Sequence, residues 1–216
     1  MSRWTIAAAQ YGGQHQSVEN HVTHHLRFIE EAARQGCDLL VFPELSLTGP
    51  GEAGLPLPPD DWQLAPLLHA VQLLNITVIA GTTLLQDGVT YKGLALFTPH
   101  TDTICRYPQG RGASLVPGVK QLTILDTQSD APIIDPQATL FTSCQAVNDN
   151  RWRQSISRLQ RFAHRYAIAV LMANACSGSA LWDEKGQLIV RADNGELLLT
   201  GSLGRQGWQG EIIPLG

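Results

Sequence analysis

Two hydrophobic rhythms alternate along the chain: short unbroken apolar runs, and apolar positions recurring every three or four residues. The run Thr5 to Gln10 (TIAAAQ) predicts a first strand. Ser17 suits a helix N-cap, and Val22, Leu26, Ile29 and Ala33 then recur at helical spacing to about Arg34, with Gly36 suited to the C-terminal cap. A second strand, Asp38 to Phe42, follows directly, and Pro43 ends it because proline cannot extend a ladder. This β-α-β opening predicts a layered α/β fold. Next come a Gly/Pro-rich loop (Pro50 to Pro59) and a helix from about Ala65 to Leu74, with Leu67, Leu68, Val71 and Leu74 inward and Pro66 in its first turn. Thr77 to Thr83, Tyr91 to Pro99 and Thr103 to Tyr107 read as strands, with a turn signal at Gln86-Asp87-Gly88.

The second half repeats the alternation. Leu122 to Leu125, Ala131 to Asp135 and Ala138 to Ser143 read as short strands, the last closed by Cys144. Asp149 or Asn150 is placed to cap a helix running to about Arg165, whose inner stripe is Trp152, Ile156, Leu159 and Ala163. Arg151, Arg158, Arg161 and Arg165 fall on the other side, either as a solvated face or as a surface for an acidic partner or anionic ligand. The strand Ala167 to Ala173, a hairpin of Ala180 to Asp183 with Gln187 to Arg191, and a last strand Glu196 to Thr200 complete the pattern. The remainder, from Ser202, reads as a Gly-rich tail.

Composition narrows the picture. The chain has 216 residues, 44% hydrophobic and 16% charged, with no internal repeat or long linker, and so reads as a single domain over residues 1–216. A net charge of −4 offers no footprint for nucleic acid. No apolar run approaches a membrane span, and the start, MSRWTIAAAQ, has no secretory pattern. The four cysteines (Cys37, Cys105, Cys144, Cys176) show neither metal-ligand nor disulfide spacing. A reducing, cytoplasmic setting is expected, with no membrane partner and no cofactor.

The chemistry concentrates at Leu39 to Gly49, LLVFPELSLTG. Glu44 stands at the carboxyl end of an apolar strand, where open α/β sheets place their ligands. It reads either as a general base partly withdrawn from water or as a surface carboxylate on a loop. His21, His24 and His25 crowd one helix, with spacing open to zinc ligation or to a solvated face.

VFPELSLTG resembles the first signature of the carbon–nitrogen hydrolase (nitrilase) superfamily. IAAAQ at Ile6 to Gln10 resembles that family's first strand, Asn20 matches an Asn opening its first helix, and Met172-Ala173-Asn174 with SGSALWDEKG resembles its last core strands. The likeness runs from about Thr5 to Ala192. It implies an α-β-β-α sandwich, two facing β-sheets with helices outside, and hydrolysis of a non-peptide C–N bond in a small amide, nitrile or carbamoyl compound. It implies a Glu–Lys–Cys site in which Glu44 is the base.

The rest of that set departs from the family's pattern. The family's Lys follows a Tyr-x; here Tyr107-Pro108 is followed by Gln109, an uncharged and weaker oxyanion partner. A second Glu is expected before Pro117-Gly118, yet no Glu occurs between Glu52 and Glu184. Ala131 to Asp135 runs almost directly into Ala138 to Ser143, so one core helix is expected to be missing. Asp135 then stands at the nucleophile's place, with Cys144 the alternative nucleophile. Two functions stay open: a hydrolase using Glu44, Gln109 and Cys144, or a non-catalytic member that binds an amide- or nitrile-like ligand or a protein. Loss of a core helix exposes its neighbours, so a homo-oligomer is expected.

Overall fold

The computed structural model describes residues 4–12, 17–51, 54–109, 114–121 and 138–215. The first half runs β1 (Trp4–Gln10), α1 (Val18–Arg34), β2 (Leu39–Val41), α2 (Asp61–Leu74), β3 (Thr77–Gln86), β4 (Val89–Phe97) and β5 (Cys105–Pro108). It continues with β6 (Ser114–Val116), β7 (Val119–Gln121), β8 (Leu140–Gln145), α3 (Asp149–Tyr166), β9 (Ala169–Asn174), β10 (Ala180–Trp182), β11 (Leu188–Arg191), β12 (Leu197–Gly204) and β13 (Gly207–Pro214).

These strands form two sheets. One has seven strands in the order β13-β12-β1-β2-β3-β4-β5, and the other six in the order β11-β10-β9-β8-β7-β6. The parallel pairs β1–β2–β3 and β7–β8–β9 lie at their centres. Alternation along the strands sorts side chains between layers. Ile6, Ala8, Val41, Ile79, Leu94 and Leu96 of the first sheet meet Leu140, Cys144, Leu171 and Leu181 of the second. On the outer side of the first sheet, Ala7, Leu40, Phe42, Val78 and Phe97 pack under Phe28 and Ile29 of α1 and Leu64, Leu67 and Val71 of α2. On the outer side of the second, Phe141, Val170 and Met172 pack under Leu159, Phe162 and Ala163 of α3. The architecture is the α-β-β-α sandwich expected from the resemblance.

Several local readings change. The tail after Ser202 is an antiparallel hairpin, because β12 runs through Gly204 and β13 pairs with it from Gly207. Its glycines let the chain turn, and Trp208, Ile212 and Ile213 supply strand-forming side chains. α2 starts at Asp61, where Asp60 N donates to Gln63 Oε1 at 3.0 Å, so Pro66 lies inside the helix and not in its first turn. The cap of α3 is Asn148, whose Oδ1 accepts from Arg151 N. The stub Ala131 to Asp135 and the strand Leu122 to Leu125 lie outside the described residues, and Asp135 with them.

The histidines of α1 are not a solvated face. His21 and His25 are both fully buried. The apolar stripe of α1 is wider than its aliphatic residues, because aromatic rings complete it. His25 stacks on Phe42 at 3.9 Å between centroids, and Tyr11 packs edge-on to His21, His25 and Phe28. Among the described residues, no group of three His, Cys, Asp or Glu side chains is placed to hold a metal ion.

Candidate functional site

Glu44 leaves β2 after Phe42 and Pro43 and enters a tight turn that folds over β3. The turn lies close against Gly81: a Cβ there would sit 2.3 Å from Pro43 O and 2.4 Å from Leu45 N. Only a residue without a side chain permits that approach. Leu45 takes a left-handed backbone (φ 55°), and Leu47 N donates to Gly81 O at 2.9 Å, which pins the turn to the strand. On the opposite sheet, Glu44 N donates to Gln145 O at 3.4 Å, so the turn bridges the carboxyl ends of β2 and β8.

α1 supports the turn from behind. His25 Nδ1 lies 2.7 Å from His21 O, a group that only accepts, so Nδ1 carries the proton. Nε2 is then left to accept the Ser46 hydroxyl proton, at 3.0 Å. Burial pushes the His25 imidazole down to about 3, which keeps it neutral in this role. His21 is also lowered, by burial and then by its neighbour His24. Tyr11, whose hydroxyl meets His21 Nδ1 at 3.0 Å, is pushed up to about 12, first by burial and then by Glu196.

The carboxylate itself has two donors. Lys92 Nζ lies 2.6 Å from Oε1, and Gln109 Nε2 donates to Oε2 at 2.8 Å. Gln109 Nε2 also reaches Cys144 O at 3.3 Å. Lys92 shares a strand face with Leu94 and Leu96 and so points between the sheets at their open end. Thr83 is its cross-strand partner in β3, and Gln109 N donates to Lys92 O at 3.1 Å on the other side. Thr83, Lys92 and Gln109 thus form one row across β3, β4 and the end of β5. Within that row, Thr83 Oγ1 and Gln109 Oε1 are buried with no hydrogen-bond partner among the described residues. Buried polar atoms left unpaired are costly, and each is ready for a ligand group or a water.

Two of the three residues singled out from sequence, Glu44 and Gln109, are brought into direct contact through their side chains. Cys144 joins them through its backbone carbonyl. Its side chain is fully buried in the core between the sheets, beside Leu140. The sequence puts the uncharged Gln109 at the place of the family's Lys; an ammonium nevertheless stands beside Glu44, and it comes from Lys92. Sequence reading missed Lys92 and Thr83. The available signal was parity: a lysine in step with Leu94 and Leu96 is a charge on an inward face, which strands avoid without a partner.

Polar clasps hold the same end of the sandwich. Gln10 Oε1 accepts from Ser179 N at 3.1 Å while its Nε2 donates to the carbonyls of Asp193 and Gly195. Asn174 Oδ1 accepts from Val147 N at 2.9 Å, and its Nδ2 donates to Val147 O at 3.0 Å and to Ser177 O at 2.6 Å. These bonds satisfy strand-end backbone groups that would otherwise be buried without partners.

Two facing sheets, outer helices and a carboxylate turn at the strands' carboxyl ends define the class as an α-β-β-α sandwich with a polar cluster at one end of its sheets. The chain belongs to the carbon–nitrogen hydrolase family, whose model matches residues 5–121. Solved structures share the fold. XC1258 from Xanthomonas campestris, a CN-hydrolase superfamily protein carrying an arsenic adduct in its active site, has a TM-score of 0.75 at 15% identity, covering 95% of this chain and 92% of that one. A cysteine-to-alanine variant of a nitrilase-superfamily amidase from Nesterenkonia sp. AN1 has a TM-score of 0.73 at 17% identity, covering 94% and 91%. The glutamine-dependent NAD+ synthetase of Acinetobacter baumannii has a TM-score of 0.75 at 16% identity over 96% of this chain, which spans only 47% of the synthetase. At these identities the likeness is one of fold. Among the described residues, no helix is long and apolar enough to cross a membrane.

Proposed function

We propose that this chain binds a small primary amide at Glu44, Lys92 and Gln109 and does not hydrolyse it. One observation carries this reading: both Glu44 oxygens are occupied by donors, while Gln109 Oε1 is buried and has no partner among the described residues. A primary amide complements that set. Its carbonyl oxygen accepts from the remaining N–H groups of Lys92, and its NH2 donates to Gln109 Oε1. Cleavage further requires a nucleophile within reach of the carbonyl carbon. The Cys144 thiol lies in the core, and losing one member of a catalytic unit costs up to about a million-fold in rate.

The test pairs binding with turnover. Acetamide titrated into 15N-labelled protein is expected to shift the Gln109 side-chain amide signals and to release no ammonia. Absence of any shift at Gln109 overturns the binding part. Ammonia release that disappears in Cys144→Ala overturns the non-catalytic part.

A second reading, amide hydrolysis with Glu44 as base and Cys144 as nucleophile, is favoured by one contact: Gln109 Nε2 spans the Glu44 carboxylate and the Cys144 carbonyl. The same Cys144→Ala comparison decides it.

A further inference from the structure

The outer face of the first sheet is apolar toward one end and polar toward the other. Cross-strand register sorts it into rows over β1, β12 and β13. The row Ala9–Leu198–Ile213 belongs to the core formed with α1. Two residues along the strands comes Ala7–Thr200–Glu211, and two further on Thr5–Ser202–Gln209. α1 ends before it covers these polar rows, and Gln35 and Gly36, just past its last turn, form a wall beside them. The result is a cavity of about 510 Å³, within the size range of small-molecule sites. It lies at the amino end of β1, whereas Glu44 follows the carboxyl end of the parallel neighbour β2. Thr5, Thr200 and Ser202 are buried, so their hydroxyls make a floor and not a solvated rim.

Counting protons shows what this lining lacks. Thr5 Oγ1 and Ser202 Oγ share one proton at 3.2 Å. Thr200 Oγ1 donates to Glu211 O at 3.4 Å, which uses its one proton and leaves its lone pairs. Gln35 Nε2 donates to Glu31 Oε1 at 2.8 Å, and the Gln35 side-chain carbonyl oxygen remains an acceptor. The Glu211 carboxylate accepts only, and no ion pair among the described residues includes it. The C-terminal end of α1 adds partial negative charge. Among the described residues, no Lys, Arg, His or aromatic side chain lines the cavity.

We infer that this cavity binds a compact hydroxylated primary ammonium compound, of the amino-sugar class. The ammonium supplies donors to Glu211 and to the carbonyls that end α1. The hydroxyl groups exchange hydrogen bonds with Thr5, Thr200, Ser202 and the Gln209 amide. The two polar rows lie about 7 Å apart and each spans about 10 Å, room for one sugar ring with its substituents. An anion would meet Glu211 with no cation to offset it, and a flat apolar ligand would find no ring to stack on.

The test is an NMR titration of the 15N-labelled full chain in phosphate buffer, since Tris is itself a hydroxylated amine. Glucosamine at millimolar concentration is expected to give saturable shifts at the amides of Thr5, Thr200 and Ser202 and at the Gln209 side chain. Glucose and N-acetylglucosamine, which carry no ammonium, are expected to bind about tenfold more weakly or worse. Glu211→Gln, an isosteric change at an exposed position, is expected to weaken glucosamine by a similar factor with an unchanged melting temperature. Absence of saturable shifts at these residues, equal affinity for the three sugars, or full affinity in Glu211→Gln each overturn the inference.

Discussion

Lys92 Nζ lies 2.6 Å from Glu44 Oε1, although the two residues are 48 positions apart in sequence. β3 and β4 create that contact: their hairpin carries Lys92 to the open end of the sheets, where β2 delivers Glu44. The pair is wet on one side, since the Lys92 side chain is 46% exposed and that of Glu44 is 16% exposed. Its contribution to stability is accordingly small, while its ammonium stays available to a ligand oxygen.

Lys92→Met separates these two effects. Loss of the ammonium is expected to weaken acetamide binding by about tenfold or more, equivalent to about 1.4 kcal/mol. Stability is expected to change by less than about 1 kcal/mol. NMR titration and urea unfolding of the same sample measure both. Unchanged affinity would remove Lys92 from the site.

Gly81→Ala tests the seat of the Glu44 turn. The added methyl would meet backbone atoms of Pro43 and Leu45, which cannot rotate away. A loss of roughly 1–3 kcal/mol is expected in urea unfolding, with the largest amide shifts between Pro43 and Leu47. A neutral result would mean that the turn does not press on β3.

His25 gives stability a pH dependence of known sign. Its folded-state value is pushed down to about 3 from an ordinary 6.5, so the unfolded chain binds the proton more tightly. Stability is full above about pH 6.5 and falls as pH drops toward 3, by on the order of 2 kcal/mol at pH 5. His25→Phe keeps a ring to stack on Phe42 and has no site to protonate. It is expected to be less stable than the parent at pH 7.5, through loss of the Ser46 bond, but to lose less on going to pH 5. Parallel slopes for parent and variant in urea unfolding at the two pH values would refute this assignment.

The thiols should react in order of exposure. Cys176 is exposed, Cys105 is intermediate, and Cys37 and Cys144 are buried. Burial, with Asp38 adding to it, pushes the Cys37 thiol up to about 12, which removes the reactive thiolate. Titration with a chromogenic disulfide in native buffer is expected to modify Cys176 first, Cys105 slowly, and Cys37 and Cys144 only on unfolding. Rapid native modification of Cys144 would favour the hydrolase reading.

Much of the architecture is legible in the chain because strands and helices announce themselves through local periodicity. The opening β-α-β unit, the place of Glu44 after an apolar run, and the stripes of α1 and α3 all follow from residues close in sequence. The errors have a common form. β13 was hidden because its partner β12 supplies the other half of the ladder, and Gly-rich composition alone reads as coil. His21 and His25 resemble a polar face until Tyr11, Phe28 and Phe42, drawn from three separate segments, close around them.

The amino-acid sequence by itself determined the family, the order of the elements and the carboxylate at the end of β2, since each rests on local pattern. It also determined that position 109 holds an amide and not an amine. Only the tertiary structure decided what surrounds that carboxylate. Strand register, set across β3, β4 and β5, put Thr83, Lys92 and Gln109 in one row, and sheet stacking put the Cys144 side chain in the core. Neither is encoded in any short stretch, because hydrogen-bond pairing between distant strands chooses which face each side chain takes.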